Sequence, residues 1–245
     1  MSISCTILTK NSALTIKATL EALKEFDEVV ILDSGSTDAT LEIARAFSNV
    51  TIYKSEFLGF GQMHNLATSY AKNDWILSID SDEIVTAELK KRILSLILDP
   101  SCVYSFAFQN ILFGKKIRYS GWYPDRHIRL YHRKMTAFSD AKVHERILSQ
   151  GLKEIALKEH IEHHSYLHVS DFLRKLQIYT DLFKEQNPNR KATFSQAIWH
   201  GLFAFIKTYF IKLGFLDGKC GFIIAFYQAQ TAFYKYLKLW EKSVK

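Results

Sequence analysis

Cysteine is scarce in this sequence. The 245 residues include three, Cys5, Cys102 and Cys220, odd in number and far apart. They form neither a disulfide framework nor a zinc-binding spacing, which points to a reducing compartment. Long apolar runs are missing as well. The longest stretches, such as 201–206 and 220–227, are far too short to span a bilayer, so no transmembrane helix is expected. Residues 1–10 alternate polar and apolar types and show no basic segment followed by an apolar one, so no secretory leader is expected. A glycine-rich loop ending in Gly-Lys-Ser/Thr is absent, which excludes a P-loop enzyme. Gly59 and Gly61 match part of a dinucleotide fingerprint, but His64 stands where its third glycine would be, which argues against a nicotinamide dehydrogenase. No internal repeat or low-complexity tract is present. Acidic residues are rare at the C-terminal end. From residue 191 onward eight lysines face only Asp217 and Glu241, and fourteen of the 34 aromatic residues lie there. This segment holds most of the net charge of +7. A basic, aromatic segment suits an anionic surface, either a membrane or a nucleic acid. No nucleic-acid-binding motif accompanies the charge, so the membrane is the expected partner.

With 48% hydrophobic residues, the chain can bury a substantial core. Four short apolar runs, 3–9, 29–32, 50–53 and 75–79, read as buried strands. Helical spacing lies between them, over 16–26, 41–47 and 63–70, and again after the last over 89–98. Strands alternating with helices predict βαβ units and a parallel sheet. After Pro100 the pattern changes to short strand-like runs at 103–108, 117–119 and 127–131, with a turn-rich loop at 121–126. From about residue 169 the spacing is helical, broken at 187–189 and 214–221.

The chemistry gathers at strand ends. The run Trp75-Ile76-Leu77-Ser78-Ile79 closes in Asp80-Ser81-Asp82-Glu83. Ligands of open α/β sheets bind at the carboxyl ends of such strands. Asp80 and Asp82 would point to one side of extended chain, where a cation or a donor-rich ligand relieves their repulsion. Hard oxygen ligands in small number suit Mg²⁺ or Mn²⁺ shared with phosphates. A solvated acidic turn opening the next helix is the plainer alternative. Asp33 likewise ends a strand, and Gly35 permits a tight turn before the following helix, which Ser36 or Asp38 can cap. An ordinary strand–turn–helix link needs no carboxylate at position 33.

In this order, Asp33-Ser34-Gly35-Ser36-Thr37-Asp38, Asn65 and Asp80-Ser81-Asp82-Glu83 resemble the inverting glycosyltransferases of family 2. The resemblance covers residues 3–163. Within the family, segments 122–126, 143–145, 163–166 and 214–218 look like those of lipopolysaccharide-core glucosyltransferases. The resemblance implies an α/β GT-A nucleotide-diphospho-sugar transferase fold, a mostly parallel sheet flanked by helices. It implies a catalytic domain over 1–165 and a helical extension over 166–245. It also implies roles for individual residues. Asp33, Asn65 and Asp80 would bind the nucleotide sugar, with Asp33 at the base. Asp82 would bind Mg²⁺ or Mn²⁺, with His163 as a further ligand. Either His163 or His164 alone reads more simply as a core histidine. Glu145 would be the base that takes the acceptor proton; a surface glutamate paired with Arg133 or Arg146 is its alternative. Trp122, Asp125 and Arg126 would lie on the acceptor side. The implied activity is transfer of glucose from a UDP-sugar to a glycolipid core acceptor at the cytoplasmic face of a membrane. A nucleotidyltransferase, or a non-catalytic lipid- or nucleic-acid-binding module on a similar fold, is the alternative.

Overall fold

The computed structural model describes residues 2–140 and 145–244. The expected strand–helix alternation is present: β1 (Ile3–Thr9), α1 (Ile16–Ala22), β2 (Glu28–Asp33), α2 (Thr40–Arg45), β3 (Val50–Lys54), α3 (Phe60–Ser69) and β4 (Trp75–Asp80). Strands β5 (Glu83–Val85), β6 (Cys102–Leu112), β7 (Lys115–Lys116), β8 (Asp125–His132) and β9 (Lys153–Tyr166) follow, with α4 (Ala87–Ser95) after β5. The chain ends in α5 (Val169–Gln186), α6 (Phe194–Ile206) and α7 (Lys219–Val244). A π-helical turn (Lys207–Ile211) and a 3-10 turn (Gly214–Asp217) lie between α6 and α7.

Among the described residues the strands form one nine-stranded sheet in the order β3-β2-β1-β4-β8-β6-β9-β5, with β7 beside β6. The first four are parallel. β8 then pairs antiparallel with both β4 and β6, so the sheet is mixed. This is the GT-A arrangement. The parallel strands are the ones legible as apolar runs, because strands covered on both faces need apolar side chains on both. β2 is buried along its whole length.

The chain divides into two compact units. The first comprises Met1–Phe108 with Asp125–His163, the second Gln109–Pro124 with His164–Lys245. The second unit therefore includes segment 109–124 as well as the helices expected from the sequence. In it, Leu112, Ile117, Phe172, Leu176, Ile224 and Tyr227 form a core. Residues 117–119 are not the expected strand. The N–H groups of Arg118 and Tyr119 donate instead to the carboxylate of Asp217, which also accepts from the Ser120 hydroxyl.

Element limits follow local chemistry. Thr86 caps α4 by accepting from the Leu89 N–H, so this helix starts ahead of the predicted residue 89. It buries Leu89 and Ile93, one turn apart, and ends ahead of Pro100. α3 starts after Gly59, whose φ of 107° is open to glycine and costly for other residues.

Candidate active site

Strand register brings the acidic ends to one edge of the first unit. β1 lies between β2 and β4, with Thr9 opposite Asp33 and Leu8 opposite Asp80. The chain runs outward to β2 and β3 on one side of β1 and returns to β4 on the other. Asp80 thus lies at the topological switch point of the parallel strands, where ligands of open α/β sheets bind.

Each carboxylate there has a different environment. Asp33 is 1% exposed, and its oxygens accept from the N–H groups of Gly35 and Ser36 and from the Ser36 hydroxyl. Through these bonds its carboxylate shapes the 34–37 turn. Asn11 Oδ1 accepts from the Thr37 N–H and ties the same turn to the end of β1.

Asp80 and Glu83 share one cation. Arg129, from β8, donates to Asp80 at 2.8 Å and to Glu83 at 2.6 Å. Glu83 also accepts from the Asp80 N–H, and its side chain is 1% exposed against 40% for Asp80. Burial pushes the Glu83 carboxyl well up. Burial works the same way on Asp80, but the Arg129 guanidinium outweighs it and holds that carboxyl below the usual range. Burial opposes the charge on Arg129; Asp80 and Glu83 more than offset it and raise its pKa. The Arg129 Nε is buried with no hydrogen-bond partner among the described residues. Among the described contacts Arg129 engages Asp80 through Oδ2, and the Asp80 side chain remains 40% exposed.

Asp82 is placed differently. Its Oδ2 lies 3.6 Å from His163 Nε2, and both side chains are a little under a third exposed. Across the β5–β9 pair, Glu83 stands opposite His163. Two metal–ligand bonds of about 2.1 Å can bridge a gap up to about 4.2 Å, so this pair fits a single cation. No group of three His, Cys, Asp or Glu side chains is gathered around a metal position among the described residues. A two-donor site that leaves coordination open to phosphate oxygens is the usual mode for Mg²⁺, and imidazole also suits Mn²⁺.

Glu145 lines a cleft of about 350 Å³, with Arg126, His127, Arg129, Phe138 and Glu154 among its other walls. Its Oε1 is 4.0 Å from His64 Nε2, and its side chain is 23% exposed. Arg133, considered as its partner from sequence, pairs with Asp74 instead. Val143 and His144 of the expected histidine–glutamate motif lie outside the described residues. His64 is 2% exposed, stacks on Phe138 at 4.2 Å, and has Nδ1 3.3 Å from the Ser78 hydroxyl. Burial pushes its pKa down to about 4, so the ring beside Glu145 is neutral at neutral pH.

Three residues expected at the ligand have structural duties. The Asn65 side chain donates to the Phe138 carbonyl and accepts from the Phe138 N–H, which uses both ends of its amide. Arg126 donates through one nitrogen to the carbonyls of Ser105 and Leu157. Trp122 belongs to the second unit, where it stacks on Tyr166 at 5.2 Å. Asp125 pairs with His127 at 3.1 Å, both about half exposed, and this hydrogen bond holds its carboxyl low. Of the residues sequence reasoning left out of the site, Glu83 and His64 matter most. Glu83 had a signal in its place directly after Asp82. The Glu145–His64 approach had none, because its partners are far apart in the chain.

A parallel sheet with acidic strand ends at its switch point, continued by antiparallel strands beside a carboxylate-lined cleft, is an arrangement of the GT-A class. The model of the family "Glycosyl transferase family 2" matches residues 4–154, and the chain belongs to that family. An uncharacterized glycosyltransferase of Rickettsia bellii is 29% identical, over 99% of this chain and 87% of its own. The lipopolysaccharide core biosynthesis glycosyltransferase LpsC of Rhizobium meliloti is 24% identical, over 98% of this chain and 92% of its own. Among solved structures, S. aureus TarS 1–349 in complex with UDP-GlcNAc superposes with a TM-score of 0.50 at 15% identity, covering all of this chain and 92% of that one. This last likeness concerns the fold.

Proposed function

We propose that the protein transfers a sugar, glucose in the first instance, from a UDP-sugar to a hydroxyl of a glycolipid core acceptor, with inversion at the anomeric carbon. The observation that carries the chemistry is Glu145 in the cleft, with a buried neutral imidazole at 4.0 Å and no paired cation of its own in the described contacts. The UDP donor is supported by the fold shared with TarS, solved with UDP-GlcNAc. The acceptor class is supported by similarity to LpsC along nearly the whole chain.

Inverting transfer is a single displacement. Glu145 takes the proton of the acceptor hydroxyl as its oxygen bonds to the anomeric carbon. The bond from that carbon to the diphosphate oxygen breaks, and its electrons leave with UDP. Asp125 is a poorer base, because its hydrogen bond to His127 lowers its proton affinity. Asp82 and His163 would hold Mg²⁺ or Mn²⁺. Bound there, the ion would supply Lewis-acid stabilisation of the leaving diphosphate. Asp33 and Asn65 act by position: one holds the 34–37 turn, the other holds Phe138 beneath the cleft. Arg129 keeps Asp80 ionised at the strand end.

Glu145→Gln tests this reading. The amide keeps the shape and cannot accept the proton. Donor affinity by calorimetry should stay near that of the native protein, while turnover falls by about 10²–10⁴. A Glu145→Gln enzyme with near-native turnover places the base elsewhere.

A further inference from the structure

Two helices of the second unit are arranged inside out for a pair meant to face water. The side of α6 carrying Ala197 and Gly201 is buried, and Thr208 in the π-helical turn continues it. A methyl group at Gly201 would lie 3.1 Å from Phe233 Cβ and 3.3 Å from the Ala229 carbonyl, so α6 and α7 approach closely at this point. The large apolar side chains point the other way. Ile198, Leu202 and Ile206 form one row at four-residue spacing, with Trp199 and Phe203 beside it, all between 39% and 67% exposed. Phe210, Phe222 and Phe226 add to the exposed apolar surface, each about half exposed. Small residues at the helix contact with large apolar ones outward is the pattern of helices solvated by lipid.

Charge selects the kind of surface. Between Lys191 and Trp240 the one acidic residue is Asp217, which is 3% exposed and occupied by backbone N–H groups. Lys207, Lys212 and Lys219 are exposed along the same segment. A second copy of the chain would bring like charges together, whereas an anionic leaflet complements them. Among the described residues no helix is long and apolar enough to cross a membrane. We infer that α6, the turns after it and the start of α7 form a monotopic anchor. It lies in the interface of an anionic membrane, with Trp199, Phe203 and Phe210 inserted among the acyl chains. This surface goes beyond the transferase reading and does not depend on it.

The test uses the full chain and vesicles of phosphatidylethanolamine and phosphatidylglycerol in equal parts, with phosphatidylcholine vesicles as the neutral control. The protein should sediment with the anionic vesicles and less with the neutral ones. Of the four tryptophans, Trp199 should account for a blue shift and for quenching by acyl-chain-brominated lipid, both of which a Trp199→Phe variant should lose. The triple variant Trp199→Ser/Phe203→Ser/Phe210→Ser removes exposed side chains and should fold. It should lose about tenfold in vesicle affinity for each aromatic removed. Absence of binding, equal binding to neutral vesicles, or full binding by the triple variant overturns the anchor. A concentration-dependent dimer that the triple variant abolishes assigns the face to a second copy and also overturns it. Hydrolysis of UDP-sugar without lipid, followed on the same samples, reports the transferase reading separately.

Discussion

His64 should make the protein lose stability in mild acid. Its ring is 2% exposed, stacked on Phe138, with Ser78 at one nitrogen and Glu145 at 4.0 Å from the other. Burial lowers its pKa from 6.5 to about 4, and Arg129 adds to the lowering while Asp80 opposes it. In the unfolded chain the imidazole takes a proton near its ordinary pKa; in the folded chain it resists. The unfolded state therefore binds more protons between these values, and stability rises with pH across that window. The contribution is complete above about pH 6.5 and is lost as pH falls to about 4. A gap of this size corresponds to about 3 kcal/mol in full, of which about 2 kcal/mol is lost near pH 5.

Urea unfolding near pH 7.5 and near pH 5 measures this, compared with His64→Gln. The variant has its own fixed cost, since glutamine stacks less well on Phe138. That cost is the same at both pH values, and so are the contributions of the low-pKa carboxylates such as Asp125 and Asp74. The difference between the two proteins in their pH dependence isolates residue 64. The native protein should lose about 2 kcal/mol more than the variant over this interval. Equal losses would mean that His64 takes its proton without unfolding the chain, and the burial argument would fall.

Two other substitutions test the acidic edge. Asp82→Asn should keep the circular dichroism spectrum and unfolding midpoint, but lose about a hundredfold or more in Mn²⁺-supported donor affinity by calorimetry; unchanged metal dependence removes Asp82 from the metal. Arg129→Met leaves Glu83 buried without its cation and should cost about 3–5 kcal/mol in urea unfolding at neutral pH. That cost should shrink in acid as Glu83 takes a proton, and a pH-independent cost would show that Glu83 is already neutral in the native protein.

The first half of the fold is legible in the sequence because its information is local. β1, β2 and β4 are runs whose burial on both faces demands apolar residues, while β3 at the sheet edge is only half-buried; β2 and β4 end at Asp, β3 ends at Lys, and β1 runs into Lys10. After Pro100 the pairing is antiparallel and long-range, and the pattern no longer names its partners. Ile117-Arg118-Tyr119 looks like a strand, but Asp217, about a hundred positions away, takes its N–H groups. Trp122, Asp125 and Arg126 are adjacent in sequence, yet Trp122 falls in one compact unit and the other two in the other. The site was legible as an inventory of residues and less so as a set of duties. Asp33 and Asn65 are polar residues in the right places, and each also hydrogen-bonds to backbone, Asp33 in its own turn and Asn65 at Phe138. A sequence shows which groups can accept or donate, and only the folded chain shows which are already engaged.

The same distinction separates the three clustered carboxylates. Asp80 and Glu83 face one guanidinium between them, so their cluster keeps an excess of negative charge whenever both are ionised. A nucleoside diphosphate approaching this edge adds more of the same sign. At 4 Å, repulsion between unit charges amounts to on the order of 4 kcal/mol near a protein surface. Arg129 already divides its charge between these two carboxylates, and its Nε is buried without a partner among the described residues. Asp82 stands outside this arrangement, part-exposed, with an imidazole rather than a cation as its neighbour. It is the carboxylate with room and charge to spare for a divalent ion, which would let the diphosphate approach. On this argument Arg129 and Asp82 divide the work, one holding the strand end together and the other remaining open to the donor.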